Sequence, residues 1–287
     1  MSTDNSTMLT SRVFLRRDMT EPRDIATGNG TAFVFSRRCP GKSSDNEDGA
    51  AVFDFGNGIA VLAVADGLGG VASGELASST ALKAFRRTFR GLDTPTSSLR
   101  SAIIDGFERA NQAVIGLGLG TATTLAVLEL NDGYARPYHA GDSMILVSGG
   151  RGRIKMETMS HSPVGYAVAA GMLDAEEAMH HEDRHIVSNV VGMENMRIEV
   201  GPELKLAPRD TVLLASDGLS DNLHISEIIA MTRKGPLERS AQRLVTEADK
   251  RMQGASSDEP SKPDDLTFVV WRTSPKRVRA ARSDQVA

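Results

Sequence analysis

The 287-residue sequence predicts an α+β domain built mostly from antiparallel sheets. Apolar runs typical of strands come in groups and helical patterns come in pairs, so no strand–helix–strand alternation is sustained. Two of the apolar runs flank Asn57-Gly58, which is typical of a tight hairpin between antiparallel strands. These patterns favour antiparallel sheets over a parallel doubly wound fold.

We expect the ordered domain to begin near Thr31, and each element is assigned from its apolar period. Apolar runs between turn signals predict strands at residues 32–35, 50–55, 59–65, 121–130, 135–139, 144–148, 153–159, 196–200, 211–215 and 266–271. Helical spacing predicts helices at residues 76–85, 99–114, 226–233 and 237–252, with helical or irregular structure at residues 173–192.

The chain is expected to have three parts. Residues 1–30 are polar and form a disordered or loosely attached segment, residues 31–272 form a single domain, and residues 273–287 form a basic, disordered tail. A transit-like helix around residues 12–17 is the alternative for the first part, and the acidic residues that follow at once disfavour it.

Composition excludes several classes of protein. Lys and Arg total 33 against 37 Asp and Glu, a net charge of −4, which argues against a nucleic-acid-binding surface. Cys39 is the only cysteine, so the chain has no internal disulfide and no Cys-rich zinc site, and it fits a reducing, cytoplasmic compartment. No run approaches the roughly 18 apolar residues of a membrane helix, so no membrane partner is expected.

Acidic residues lie where several of the predicted strands begin or end. Asp66 directly follows the strand at residues 59–65, and Asp217 follows residues 211–215 after a single serine. The other acidic positions at strand ends are Glu47, Asp48, Asp142, Asp221, Asp264 and Asp265.

Converging carboxylates repel one another unless a cation neutralises them. Oxygen ligands without His or Cys suit Mg²⁺ or Mn²⁺ better than zinc. Any one Asp-Gly pair taken alone is ordinary turn chemistry, but five separate acidic sites at strand ends in one domain favour a metal centre.

Six blocks of sequence now point to a family. In chain order they are Asn46-Glu47-Asp48, Ala65-Asp66-Gly67-Leu68-Gly69-Gly70, Gly120-Thr121-Ala122-Thr123-Thr124, Gly141-Asp142-Ser143, Ala215-Ser216-Asp217-Gly218-Leu219-Ser220-Asp221 and Asp264-Asp265-Leu266-Thr267. Together they resemble the metal-dependent protein phosphatases (the PPM family, type 2C) in their compact bacterial form, over nearly all of the expected domain.

The resemblance implies two antiparallel β-sheets packed as a sandwich and flanked by antiparallel helix pairs, with two Mn²⁺ or Mg²⁺ ions between the sheets. By matching positions, Asp66 bridges the ions, the Gly67 carbonyl binds one ion, and Asp217 and Asp265 complete the other. Glu47 and Asp48 hold metal-bound waters, and Asp142 and Asp221 match acids that support a third, weaker site. Asp66, Asp217 and Asp265 are therefore the candidate catalytic residues.

The implied activity is that of a protein serine/threonine phosphatase. A hydroxide that bridges the two ions attacks phosphoserine or phosphothreonine in line. The implied partners are phosphoprotein substrates, among them a Ser/Thr kinase or its targets, and the protein is expected to act as a monomer.

One departure affects phosphate binding. Relatives usually carry an Arg four residues before the Glu of the Asn-Glu-Asp block, and this chain has Ser43 there. Arg37, Arg38 or Lys42 is the candidate replacement, although a lysine lacks the bidentate fork of arginine. A catalytically weak or inactive relative that only binds phosphoproteins is therefore the alternative function.

A second motif suggests a different chemistry. His181-Glu182-Asp183-Arg184-His185 matches the H-E-x-x-H pattern of zinc proteases, which requires both histidines on one face of a helix. The stretch is polar and short, so a pair of surface histidines is the preferred interpretation.

Overall fold

The computed structural model describes residues 9–68, 73–92, 95–254 and 259–274. Their strands are β1 (Thr10–Leu15), β2 (Arg23–Thr27), β3 (Gly30–Arg37), β4 (Gly49–Gly56), β5 (Ile59–Ala65), β6 (Gly67–Leu68), β7 (Ala122–Thr123), β8 (Leu125–Asn131), β9 (Tyr134–Ala140), β10 (Met144–Ser148), β11 (Ile154–Glu157), β12 (Glu199–Val200), β13 (Leu204–Lys205), β14 (Thr211–Ala215) and β15 (Leu266–Thr273). The helices are α1 (Gly74–Arg90), α2 (Pro95–Ile115), α3 (Pro163–Ala169), α4 (Ala175–Met179), α5 (Asp217–Ser220), α6 (Ile225–Thr232) and α7 (Leu237–Met252).

Two antiparallel sheets form the centre of the molecule. The first has the strand order β1-β4-β5-β8-β9-β12 with β13 also paired to β9, and the second has the order β11-β10-β14-β15-β3-β2. A separate pair, β6 and β7, lies directly after β5 and before β8. The predicted α+β class is therefore confirmed, and the antiparallel pairing matches the expected sandwich.

Successive side chains of a strand point to opposite faces of its sheet, so each sheet packs against the other sheet on one face and against helices on the other. In β5, Leu62 and Val64 pack in the core between the sheets, whereas Val61 and Ala63 face the cluster that α1 and α2 cover. Helices α6 and α7 cover the outer face of the second sheet with Ile228, Leu244 and their neighbours. The arrangement is helices, sheet, sheet, helices.

The hairpin predicted around Asn57-Gly58 is confirmed. Both residues have positive φ, 51° and 81°, as the tight two-residue turn between β4 and β5 requires. The helix predicted at residues 237–252 is α7, and the predicted first two helices are α1 and α2 with extended ends.

The expectation of a disordered or loosely attached N-terminal segment does not hold for the described part of residues 1–30. β1 pairs along its whole length with β4, and β2 pairs with β3. Phe14 is 5% exposed and packs in the core between the sheets, so this segment belongs to the domain. The basic tail lies almost wholly outside the described residues, and β15 extends one residue past the predicted boundary.

Strand register brings the acidic residues to one edge of the sandwich. Gly49 at the start of β4 is paired with Ala65 at the end of β5, and Ala215 at the end of β14 is paired with Phe268 near the start of β15. Met144 at the start of β10 also pairs with Ala215. Residues just outside these strand ends must therefore lie close together.

None of the helices in the described ranges has the length and apolar character that a transbilayer helix requires.

Candidate metal centre

Asp66 is held by the threonines of the block before β8. The Asp66 carbonyl accepts hydrogen bonds from Thr124 N and Thr123 Oγ1, both at 2.8 Å, and Asp66 N donates to Thr124 Oγ1 at 3.0 Å. These bonds fix the backbone where β5 ends. The carboxylate of Asp66 therefore has a defined position close to the charges of Asp48, Asp142, Asp217 and Asp264.

Gly67 and Glu47 present oxygens on the same side of this strand end. A methyl group added at Gly74 would meet both Glu47 Oε1 and the Gly67 carbonyl oxygen at 2.5 Å, so these two oxygens are neighbours. Ser78 Oγ donates to the Glu47 carbonyl at 2.5 Å and ties it to α1. The start of α1 thus packs closely against two of the predicted metal-site residues.

Asp48 is almost fully buried beside the second sheet. Its Oδ2 accepts a hydrogen bond from Ser216 Oγ at 2.7 Å, and its backbone N donates to Asn46 Oδ1 at 2.8 Å. Since Ser216 directly precedes Asp217, this bond connects the first acidic block to the fifth.

Asp142 is positioned by a histidine. His161 Nδ1 accepts a hydrogen bond from Gly141 N at 3.1 Å, so its Nε2 carries the proton and donates to Glu199 at 3.0 Å. Gly141 has φ of 116° and lies close to Thr124, which favours glycine there. His161, Glu199 and the stacked His139 also come within metal-binding reach of one another, but these hydrogen bonds already occupy both ring nitrogens of His161.

Asp217 and Asp221 lie at the two ends of α5 and share a lysine. Lys262 Nζ contacts Asp217 Oδ2 at 2.6 Å, Asp221 Oδ2 at 2.8 Å and Asp264 Oδ2 at 3.4 Å. A Cβ at Gly218 would overlap the Asp265 carbonyl, so the close approach of α5 to the start of β15 requires glycine.

The two adjacent acids before β15 have different surroundings. Asp265 is buried, and its carboxylate accepts from Cys39 N, Glu47 N and Lys42 Nζ at 2.7, 2.7 and 2.8 Å. Asp264 is the carboxylate that approaches Lys262 and interacts with Asp217 and Asp66. The Asp265 oxygens thus fix the backbone of the neighbouring loop, and its expected role as a metal ligand stays a prediction.

Of the three candidate phosphate-binding cations, only Lys42 contacts the acidic cluster. Lys42 Nζ lies 2.6 Å from Glu47 Oε2 and 2.8 Å from Asp265 Oδ2. Arg37 forms an ion pair with Asp249 of α7, and Arg38 forms one with Asp18 at 3.1 Å. Both arginines therefore pair with acids outside the cluster.

Burial and mutual repulsion shift the pKa values of the cluster upward. Burial first, and then the charges of neighbouring carboxylates, raise the pKa of Asp48 and of Asp66 well above the usual range. The same causes raise the pKa of Asp142 to about 7 and that of Asp264 to about 6. The cluster therefore holds its negative charge at a free-energy cost.

The donor set fits a hard divalent cation. Asp66, Asp217 and Asp264 supply carboxylate oxygens, Gly67 supplies a carbonyl oxygen, and a cation among them would offset the repulsion that raises the carboxylate pKa values. Oxygen ligands of this kind suit Mg²⁺ or Mn²⁺.

A cavity of about 830 Å³ opens beside the cluster. Its lining includes Asp142, Asp217 and Asp221, together with apolar residues such as Met144 and Val168 and further polar ones. The acidic cluster is therefore accessible from a cleft large enough for a peptide side chain and its neighbours.

The H-E-x-x-H segment lacks the helix that a zinc protease needs. Residues Glu182–His185 form a short 3₁₀ turn that His181 caps by accepting from Asp183 N, and His185 Nδ1 hydrogen-bonds to the Glu182 carbonyl. The two histidines therefore do not share an α-helical face, and the protease alternative is not supported.

Sequence reasoning named Asp264 only as an acid at a strand end, and it missed Lys262 and the buried Asn222. Asn222 Oδ1 accepts from Lys262 N and its Nδ2 donates to the Lys262 carbonyl, both at 2.8 Å. A polar residue directly after Asp221 was the only available signal, because the loop at residues 259–265 has no period that predicts its path.

Comparison with known proteins supports the same family. The family model described as Protein phosphatase 2C matches residues 37–254. A putative protein phosphatase 2C-type of Streptococcus pyogenes is 31% identical over 221 residues, which cover 73% of this chain and 88% of that protein. The Mycobacterium tuberculosis serine/threonine phosphatase PstP/Ppp has a TM-score of 0.70 and 25% identity, over 85% of this chain and 98% of that one.

A further solved structure is that of the catalytic domain of serine threonine protein phosphatase PstP in complex with two manganese ions. It shares the fold at a TM-score of 0.68 and 24% identity, over 93% of this chain and 100% of that one.

The raised pKa of Asp142 predicts a pH-dependent stability in chelator. The folded protein keeps a proton on Asp142 up to about pH 7, whereas an unfolded Asp loses it near 3.8, so stability falls as pH rises between these values. The slope is at most about 1.4 kcal/mol per pH unit for one proton. Urea unfolding from pH 5 to pH 8 should show a steeper loss for the wild type than for Asp142→Asn. Parallel curves for the two proteins would contradict the assignment.

Proposed function

The chain belongs to the protein phosphatase 2C family, and we propose that it is a metal-dependent hydrolase of phosphoserine and phosphothreonine in proteins. The observation that carries the proposal is the convergence of Asp66, Asp217 and Asp264 at one edge of the sandwich, beside an open cleft. Three partly buried acids brought this close together repel one another, and a divalent cation among them would offset that repulsion.

The proposed ligands are divided between two ions. Asp66 and the Gly67 carbonyl would hold one ion, Asp217 and Asp264 would join Asp66 in holding the other, and Glu47 and Asp48 would act through water. When bound, Mn²⁺ or Mg²⁺ lowers the pKa of water and offsets negative charge on the phosphoryl group. Asp265 is assigned a positioning role, because it fixes the backbone N–H groups of Cys39 and Glu47.

Lys42 is the proposed phosphate-binding cation in place of the usual Arg. An ammonium group has three donors, and Lys42 uses two of them on Glu47 and Asp265. The third donor is available to a phosphoryl oxygen, and the side chain is 21% exposed. The two carboxylates also keep the ammonium charged, so it remains a donor at any physiological pH.

The remaining assignments follow from the proposed activity. The substrates are phosphoproteins, with a Ser/Thr kinase or its targets as the expected partners, and the protein acts as a monomer in the cytoplasm. Turnover separates this proposal from the alternative, a relative that binds phosphoproteins without hydrolysing them.

Hydrolysis of a phosphothreonine peptide should require Mn²⁺ or Mg²⁺ and stop in excess chelator. Asp66→Asn should lower kcat on the order of 10³-fold, because the residue assigned to both ions loses a charged ligand. The exposed Asp24→Asn of β2 is the matched control and should keep wild-type turnover. Full activity in a folded Asp66→Asn protein would falsify the metal assignment, and Mn²⁺ binding without any turnover would favour the phosphoprotein-binding alternative.

The adjacent acids should respond differently to loss of charge. Asp264→Asn should lower kcat/KM by about 100-fold and weaken Mn²⁺ binding, because it removes a ligand. Asp265→Asn keeps an oxygen that can accept from backbone N–H groups, so its kcat/KM should stay within about tenfold of the wild type. Steady-state kinetics and Mn²⁺ titration of both variants provide the test, and the opposite ranking would restore Asp265 as the ligand.

Lys42→Gln should raise KM for the phosphopeptide by about tenfold and change kcat little, since a charge-assisted hydrogen bond to phosphate is lost from substrate and transition state alike. Arg38→Gln removes a cation that pairs with Asp18 and should leave KM unchanged. Equal KM values for wild type and Lys42→Gln would show that another group binds the phosphate.

A further inference from the structure

Lys262 has contacts that differ from those of Lys42 in one respect. Its Nζ lies within ion-pair distance of three carboxylates, those of Asp217, Asp221 and Asp264. Asp217 and Asp221 accept hydrogen bonds from this ammonium group, at 2.6 and 2.8 Å, and Asp264 adds an ion-pair contact at 3.4 Å. Lys262 is therefore close to one more carboxylate than Lys42, and its positive charge acts on these three acids.

The position of Lys262 is fixed by its own backbone. Asn222, which is fully buried and directly follows Asp221, donates to the Lys262 carbonyl and accepts from its N–H, both at 2.8 Å. Ser261 Oγ also donates to the Arg251 carbonyl at the end of α7. These hydrogen bonds hold the loop next to α5, and they therefore place the Lys262 side chain beside Asp217 and Asp221.

The acids that Lys262 contacts overlap the set assigned to a third metal position. Asp142, Asp217 and Asp221 all line the cavity beside the cluster. Asp217 and Asp221 interact electrostatically with Asp142, and so does Lys262, whose charge acts to lower the pKa of the Asp142 carboxyl. A metal ion bound by these acids and the Lys262 ammonium would therefore interact with the same carboxylates.

We propose that the ammonium group of Lys262 replaces a metal ion beside Asp217 and Asp221, so that this chain holds two divalent ions where its carboxylates alone would hold three. The inference rests on the proposed function, because it concerns the same metal centre. The lysine supplies one positive charge that does not dissociate, whereas a weakly held ion would depend on the metal concentration. Occupation of the first two positions, by contrast, still requires free Mn²⁺ or Mg²⁺.

Charge and shape can be separated by substitution. Lys262→Met keeps an unbranched side chain of nearly the same length and removes its charge, and Lys262→Arg keeps the charge. Lys250→Met is the matched control, because Lys250 is an exposed lysine of α7 that pairs only with Glu247 among the contacts described.

The test counts Mn²⁺ ions bound per folded chain by equilibrium dialysis followed by metal analysis. Lys262→Met should bind one ion more than the wild type, or bind its weakest ion at least about tenfold more tightly, because a like charge has been removed. Lys262→Arg and Lys250→Met should match the wild type. Thermal unfolding of each protein in chelator establishes that the proteins compared are folded.

An equal count with equal affinities in wild type and Lys262→Met, zero included, overturns the proposal. Three ions on the wild type also overturn it. A gain of one ion in Lys262→Arg as well would assign the effect to side-chain shape and likewise contradict it. Phosphopeptide hydrolysis measured in parallel separates the two ideas, because absent turnover with a changed ion count leaves this inference standing while the proposed function fails.

Discussion

Buried carboxylates repel one another, and the edge of the sandwich where they meet is organised around that repulsion. The antiparallel registers of β4 with β5 and of β14 with β15 bring the residues beyond these strand ends together. Burial denies the charges their hydration, which raises the pKa values of Asp48, Asp66 and Asp142. Glycines, threonines and Ser216 hold the backbone close enough for this to happen. In the proposed account a bound divalent cation offsets this repulsion, so the chemistry of the site follows from its electrostatics.

The two lysines of the cluster differ in their contacts and in the roles proposed for them. Lys42 donates to two carboxylates. Its third donor has no protein acceptor among the contacts described, so it is available to the phosphate of a substrate. Lys262 contacts three carboxylates and is clamped through Asn222. In the proposed account the same residue type serves two purposes, and the number of carboxylates around each ammonium group distinguishes them. In this account the chain replaces an arginine and a metal ion with lysines at two separate positions.

Much of the fold could be predicted because its signals are local. The Asn57-Gly58 turn and the helical period of α7 depend only on neighbouring residues. β1 escaped prediction because it is an edge strand whose partner, β4, lies some forty residues further along the chain, and its apolar residues are flanked by arginines. Short helices such as α5 have no room for a periodic pattern.

The site was predictable as a set of acids but not as a geometry. Asp264 and Asp265 are chemically identical neighbours, and only the path of the chain into β15 determines which one turns toward Asp217. Lys262 lies in a loop without any period, so its partners depend on tertiary structure alone. The H-E-x-x-H segment shows the opposite error, because its sequence pattern is intact while the 3₁₀ turn removes the geometry that the pattern requires.

The most direct test of this account is anomalous X-ray diffraction from crystals of the protein grown with Mn²⁺. The account predicts manganese peaks among Asp66, the Gly67 carbonyl, Asp217 and Asp264, with the Lys262 ammonium still bonded to Asp221. Crystals that contain Mn²⁺ but show no peak among these acids, or peaks only at His139, His161 and Glu199, would contradict the central claim that the acidic cluster is a metal centre.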